Sequence, residues 1–250
     1  MPVKAKAITA KMKKQIAKAA KGLGIAAPDF SDGGGKTYET WVLLELASRV
    51  RPTLVVSARD HTGAPTIAFR VRGGPGYMPP AASPASGEPC HFLLQGQHRS
   101  ADLHSSLRHR GSSGDTHELD ISAVDAGIAD HVRHSGGGPF PAVHFGRAEI
   151  LGAELKEYDG VKSLPKVYPR ALVGVALDLE PYAHVLVERR RRAHVVQFVG
   201  IDFWLLTTTT LGTSGQLLDH HDISWRANVE PGPHESRLQD VADQLTRRLA

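Results

Sequence analysis

Two short segments place charged side chains inside otherwise apolar, strand-like runs. The first is His117-Glu118-Leu119-Asp120-Ile121; the second is Ala153-Glu154-Leu155-Lys156-Glu157-Tyr158. Charge in an apolar setting is costly unless it is paired or bound to a metal. Side chains alternate along a strand, so Glu154 and Lys156 share one face, and Glu118 and Asp120 share a face of their own strand. If the two strands are neighbours, the carboxylates of Asp120 and Glu154 converge. Two hard oxygen ligands suit Mg2+ or Mn2+, and the backbone carbonyl of Leu155, next to Glu154, offers a third. Lys156 beside such an ion would orient or deprotonate a water, or stabilise the charge that builds on a phosphate. A divalent ion, a nearby base and a phosphodiester together give hydrolysis. Asp120, Glu154 and Lys156 are therefore the candidate catalytic set, with Glu118 second in rank.

These residues need strands to hold them and helices to cover the strands. Glu118 to Val124 and Ile150 to Tyr158 read as strands, the latter closed by the Asp159-Gly160 turn. Thr66–Val71 and His91–Leu94 read as further strands, and Phe203–Thr210 is β-prone. The polar, histidine-bearing stretch 97–116 carries no clear period. Helices are expected over Tyr38–Val50, limited by Pro52, over Ala126–Arg133, and over Tyr168–Leu179, with Pro169 in its first turn. Two strands, Ala183–Val187 and His194–Val199, flank a basic loop. Leu238, Val241, Ala242, Leu245 and Leu249 recur at helical spacing and predict a C-terminal amphipathic helix packed on the sheet. Residues 73–89 are rich in Gly, Pro and Ser and read as a loop. The order predicts an α/β fold with a central mixed sheet flanked by helices.

Asp120 followed by Glu154-Leu155-Lys156 resembles the signature of the PD-(D/E)xK, or restriction-endonuclease-like, nucleases. That family's core is a helix, three strands, a second helix and a further strand, in αβββαβ order. The resemblance covers about Gly35 to Val199, leaving strands and a helix over 200–250. It departs from the family pattern at Leu119, where a proline often stands. The family often adds a glutamate near the start of the first helix. Gly35-Lys36-Thr37-Tyr38-Glu39 makes Glu39 the candidate, since it lies on the stripe of Val42, Leu43, Leu46 and Val50. Glu45 falls with Trp41 and Arg49 and is explained by an ion pair with Arg49 one turn away. The resemblance implies Mg2+- or Mn2+-dependent cleavage of nucleic acid, more readily DNA, in restriction, antiviral defence or repair. It also implies two-fold assembly or a partner protein that directs cleavage. The alternative is a non-catalytic nucleic-acid-binding or assembly protein on the same fold.

The chain has 250 residues, 41% of them apolar, enough for a sizeable core. Its formal charge is +4. Lys4, Lys6, Lys11, Lys13, Lys14, Lys18 and Lys21 fall in a segment without an acidic residue, which alanines favour as a helix ended by Gly22 and Gly24. Residues 1–34 thus form a basic helix and a glycine-rich linker ahead of a domain over 35–250. Arg189, Arg190, Arg191 and Arg192 suit phosphate oxygens. His98, His104 and His109, with Arg99, Arg108 and Arg110, offer further phosphate contacts. The single Cys90 excludes an internal disulfide and a paired-cysteine zinc site. With no apolar run long enough for a membrane span, a cytoplasmic protein is expected. His220-His221-Asp222 could instead centre an unrelated metal hydrolase, though adjacent histidines point apart. Gly33-Gly34-Gly35-Lys36-Thr37 lacks the earlier glycine of a phosphate-binding loop, since Phe30 stands there.

Overall fold

The computed structural model describes residues 2–30, 33–84, 87–141, 149–158, 162–180, 201–232 and 234–250. The two strands expected at 183–187 and 194–199, the Asp159-Gly160 turn and Arg189 to Arg192 lie outside the described residues. The helices are α1 (Pro2–Leu23), α2 (Gly34–Val50), α3 (Ala126–His134), α4 (Val167–Leu179), α5 (Gly215–His220) and α6 (Arg237–Leu249). The strands are β1 (Val55–Arg59), β2 (His91–Gln95), β3 (Ser100–Arg110), β4 (Thr116–Asp125), β5 (Glu149–Lys156), β6 (Asp202–Thr207) and β7 (Ser224–Arg226).

The seven strands form one mixed sheet in sequence order. From β1 to β5 each neighbour is antiparallel. β5, β6 and β7 are parallel. Parallel neighbours need a crossover: α4 lies between β5 and β6 in the chain, and α5 between β6 and β7. Helices cover both faces. On one face, α1, α2 and α6 bury Met12, Trp41, Leu44 and Leu245 against Phe92, Leu103, Ile121, Ala153 and Trp204. On the other, α3, α4 and α5 bury Ala129, Leu172 and Leu218 against Leu107, Leu119, Phe203 and Leu205.

The amphipathic stripe of α6 is fully buried at all five expected positions. α1 buries Met12, Ile16, Ala19 and Ala20 in the same core as α2. With α1, α6 and the sheet around it, α2 is buried nearly all round, and Trp41 joins the core instead of sharing an outer face with Glu45. The glycines open α2, with Gly33 as its N-cap.

Two elements differ from the sequence reading. Thr66–Val71 is not a strand. Its backbone bonds instead to the segment after α1, through Ala26 N–H to Ile67 O and Asp29 N–H to Phe69 O. The sheet edge is β1, which follows α2 closely. The stretch without a period becomes β3, whose buried residues include Asp102, His104, Ser105, Ser106 and His109. It carries polar groups on both faces, so no alternation shows. Asp102 is held in place: Arg133 of α3 donates to it and lies 3.1 Å from His91 Nε2.

β3 and β4 keep one register from end to end, with Ser105 opposite Ile121 and Leu107 opposite Leu119. Between these pairs both strands exchange faces. Leu103 and Ile121 belong to the α2-side core, whereas Leu107 and Leu119 belong to the α4-side core. The exchange falls at Ser106, whose φ is 47°, and at Asp120, the residues between these two pairs.

Gly152 of β5 seats this crossing. A Cβ there would stand 2.6 Å from Leu119 Cδ1 and 3.5 Å from the Phe203 ring. Gly152→Ala is expected to cost about 1–3 kcal/mol by overpacking and to lower the midpoint of thermal unfolding by several degrees, read by calorimetry.

Candidate active site

The site forms where β4 parts from β5. Their pairing runs from Val124 to Ile121, which lies opposite Ala153. Beyond that pair a side chain replaces the ladder: the Leu155 amide donates to Asp120 Oδ2 at 2.7 Å. A strand residue points its N–H and C=O toward the same edge. The Leu155 carbonyl therefore faces the β4 side, beside Asp120. On the opposite edge, Lys156 O accepts from the Thr208 amide at 3.2 Å.

Glu154 and Lys156 stand on the same face of β5, as alternation requires. Lys156 Nζ donates to Glu154 Oε2 at 2.6 Å and lies 3.5 Å from Asp120 Oδ2. The ammonium also sits 5.5 Å from the centre of the Tyr168 ring of α4, within cation–π range. From the other side of the sheet, the first turns of α2 bring in Glu39. Ser106 Oγ donates to Glu39 Oε2 at 2.9 Å, and Lys36 Nζ donates to the same oxygen. The crossing at Ser106 and Asp120 is what lets groups from both faces meet.

Asp120 sets the electrostatics. Burial, reinforced by the Asp120 charge, pushes the Glu154 carboxyl up to about 7 against the opposing pull of Lys156. Burial and then Asp120 raise Glu39 as well, opposed by Lys36 and Ser106. The half-buried Glu118 is raised by burial and by Asp120, opposed by the Ser106 hydroxyl, Lys36 and Lys156. Burial opposes the charge on Lys156, but Glu154 and Asp120 outweigh it and hold the ammonium above its ordinary range.

The structure thus brings together Asp120, Glu154, Lys156, the Leu155 backbone and Glu39, with Glu118 at the edge of the cluster. Three further residues belong to it. Lys36 stands in the segment that nominated Glu39. Tyr168 is an ordinary helix-start residue in the sequence. Ser106 has no sequence signal, because a left-handed serine cannot be foreseen from its type. Other candidates fall away from this cluster. His104 and His109 are buried under the sheet's second face and cannot meet a phosphate backbone, whereas His98 is exposed. The rings of His220 and His221 are 5.0 Å apart at 86°, edge to face.

Among the described residues, no group of three or more His, Cys, Asp or Glu side chains is placed to hold a metal. Asp120 and Glu154 with the Leu155 carbonyl are a different donor set, two carboxylates and one main-chain oxygen. Hard oxygen donors of this kind suit a small divalent ion.

Protonated Glu154 stabilises the fold fully below its ordinary 4.5, and that contribution is lost as pH rises through about 7. In EDTA, chemical denaturation of wild type and Glu154→Gln across this window should diverge by up to about 3 kcal/mol, the variant gaining relative stability as pH rises. Parallel curves would remove Glu154 from the buried cluster. No family model, curated protein or solved structure matches this chain, so its function is read from these residues and their geometry alone.

Proposed function

We propose that the protein is a metal-dependent nuclease that hydrolyses phosphodiester bonds in nucleic acid, with DNA as the favoured substrate, on a restriction-endonuclease-like core. The observation that carries this reading is the Asp120–Glu154–Lys156 cluster at the parting of β4 and β5, with Lys156 within reach of both carboxylates. Asp120, Glu154 and the Leu155 carbonyl would hold Mg2+ or Mn2+. When bound, such an ion acts as a Lewis acid toward a phosphoryl oxygen.

The chain's own residues do the rest. Asp120 locks the β5 backbone through the Leu155 amide, which fixes where the Leu155 carbonyl and Glu154 lie. Lys156 holds a proton at Nζ and offers it to a non-bridging or leaving oxygen of the phosphate, where negative charge grows in the transition state. Tyr168 limits the positions its ammonium can take. Glu39, fixed by Lys36 and Ser106, supports the site from the α2 side.

One observation favours a second reading, a non-catalytic nucleic-acid-binding protein on the same fold. Lys156 already bridges the carboxylates, so the cluster is partly neutralised without a metal.

Cleavage separates the two readings. Plasmid DNA, single-stranded DNA and RNA would be incubated with Mg2+, Mn2+ or EDTA. Wild type should cut with metal only. Glu154→Ala and Lys156→Ala should each lose about 10²–10⁴-fold, and Glu39→Gln about 10–100-fold, with the fold retained by circular dichroism. Full activity in the first two variants would overturn the assignment. Binding without cleavage by wild type would favour the second reading.

A further inference from the structure

The exposed face of α1 is a row of lysines. Lys11, Lys14, Lys18 and Lys21 are all exposed. At 100° per residue they fall within a stripe about 80° wide, over about 15 Å of helix. Met12, Ile16, Ala19 and Ala20 occupy the opposite side, in the core. No acidic residue precedes Asp29, so α1 holds nothing to offset the row. None of the ion pairs among the described residues includes these four lysines. Like charges three and four residues apart repel. The helix is kept by its buried stripe, and a partner of opposite charge would relieve the repulsion.

The row runs alongside α2. Arg51, just after α2, donates to Gly22 O at the end of α1. Lys18 acts on Glu45, in the middle of α2. The two helices therefore run parallel, in step. One and two turns back from Lys18, Lys14 and Lys11 come level with the first turns of α2, where Lys36 and Glu39 meet Ser106.

We propose that the Lys11–Lys14–Lys18–Lys21 face of α1 binds the phosphate backbone of a nucleic-acid duplex and guides it to the Asp120–Glu154–Lys156 cluster. The inference rests on the nuclease reading for the identity of the polyanion. A straight row about 15 Å long matches the backbone of a duplex, which carries a phosphate about every 3.4 Å of axis on each strand. Lysines act there as mobile point charges and read no sequence.

The test is fluorescence anisotropy of a labelled DNA duplex, with an RNA duplex as a second arm, in EDTA across a KCl series. The full chain is compared with Lys11→Gln/Lys14→Gln/Lys18→Gln/Lys21→Gln. Glutamine keeps helix propensity, and circular dichroism confirms that α1 remains. Neutralising four contacts should lower the slope of log K against log [KCl] by about 3–4. A control, Arg247→Gln, alters an exposed charge on α6 and should leave the slope within error. An unchanged slope in the lysine variant, an equal loss per charge in the control, or wild-type binding to phosphatidylserine vesicles but to neither duplex would overturn the proposal. Metal-dependent cleavage with an unchanged slope would sink this surface and spare the nuclease. A lowered slope without cleavage under any metal would do the reverse.

Discussion

The hydrogen bond from the Leu155 amide to Asp120 Oδ2 is the constraint on which the site depends. A buried amide left without a partner costs about 1–3 kcal/mol, so a sheet that splays must satisfy its freed backbone in some other way. Here a carboxylate does so. The same group ends the β4–β5 ladder, fixes the β5 backbone and leaves a negative charge in the seam. Glu154, Glu39, Glu118 and Lys156 all feel that charge. Structure and electrostatics therefore have one origin, and a change at Asp120 would alter both together.

The seam exists because β3 and β4 change faces without losing register. Ser106 supplies the change by adopting a left-handed φ of 47°, a conformation that costs a non-glycine residue about 1–2 kcal/mol. Its hydroxyl donates to Glu39 and accepts from Lys36, which helps to hold it there. Further along β3, Asp102 is bound by Arg133, while His91 and His104 stack with ring centres 4.9 Å apart. Burial keeps Asp102 up at about 6 in spite of Arg133. A buried pair of this kind adds little net stability, but losing one partner would leave an uncompensated charge. The pair ties α3 to β3 beneath the crossing.

How much of this was legible in the sequence depended on whether a residue's role was local. Asp120, Glu154 and Lys156 stood out because charge interrupted apolar strands, and each lies in the cluster. The stripe of α6 stood out because one face alone is buried. β3 was hidden because its buried residues are polar and their partners, such as Arg133, are distant in the chain. Thr66–Val71 had strand composition but bonds mainly to Ala26 and Asp29, and reaches β1 only through Thr66 N–H to Ala58 O. The face of Trp41 was misread because α2 is enclosed on more than one side, which its own period cannot reveal. Ser106 needed the whole sheet to become visible.

The sign of the charge in the seam favours a cation over an anion. Glu39, Glu118, Asp120 and Glu154 share the space with Lys36 and Lys156. Four carboxyl groups facing two ammonium groups leave excess negative charge, even when Glu154 holds its proton. A phosphodiester entering alone would be repelled by these groups. Two sources of positive charge would reverse that repulsion: a divalent ion between Asp120 and Glu154, and the lysine row of α1, which lies outside the seam where solvent weakens the repulsion among its own members. On the proposed reading the acidic cluster and the basic helix would be complementary: attraction would be supplied at the surface, and the anion-repelling centre would be reached once a cation is in place.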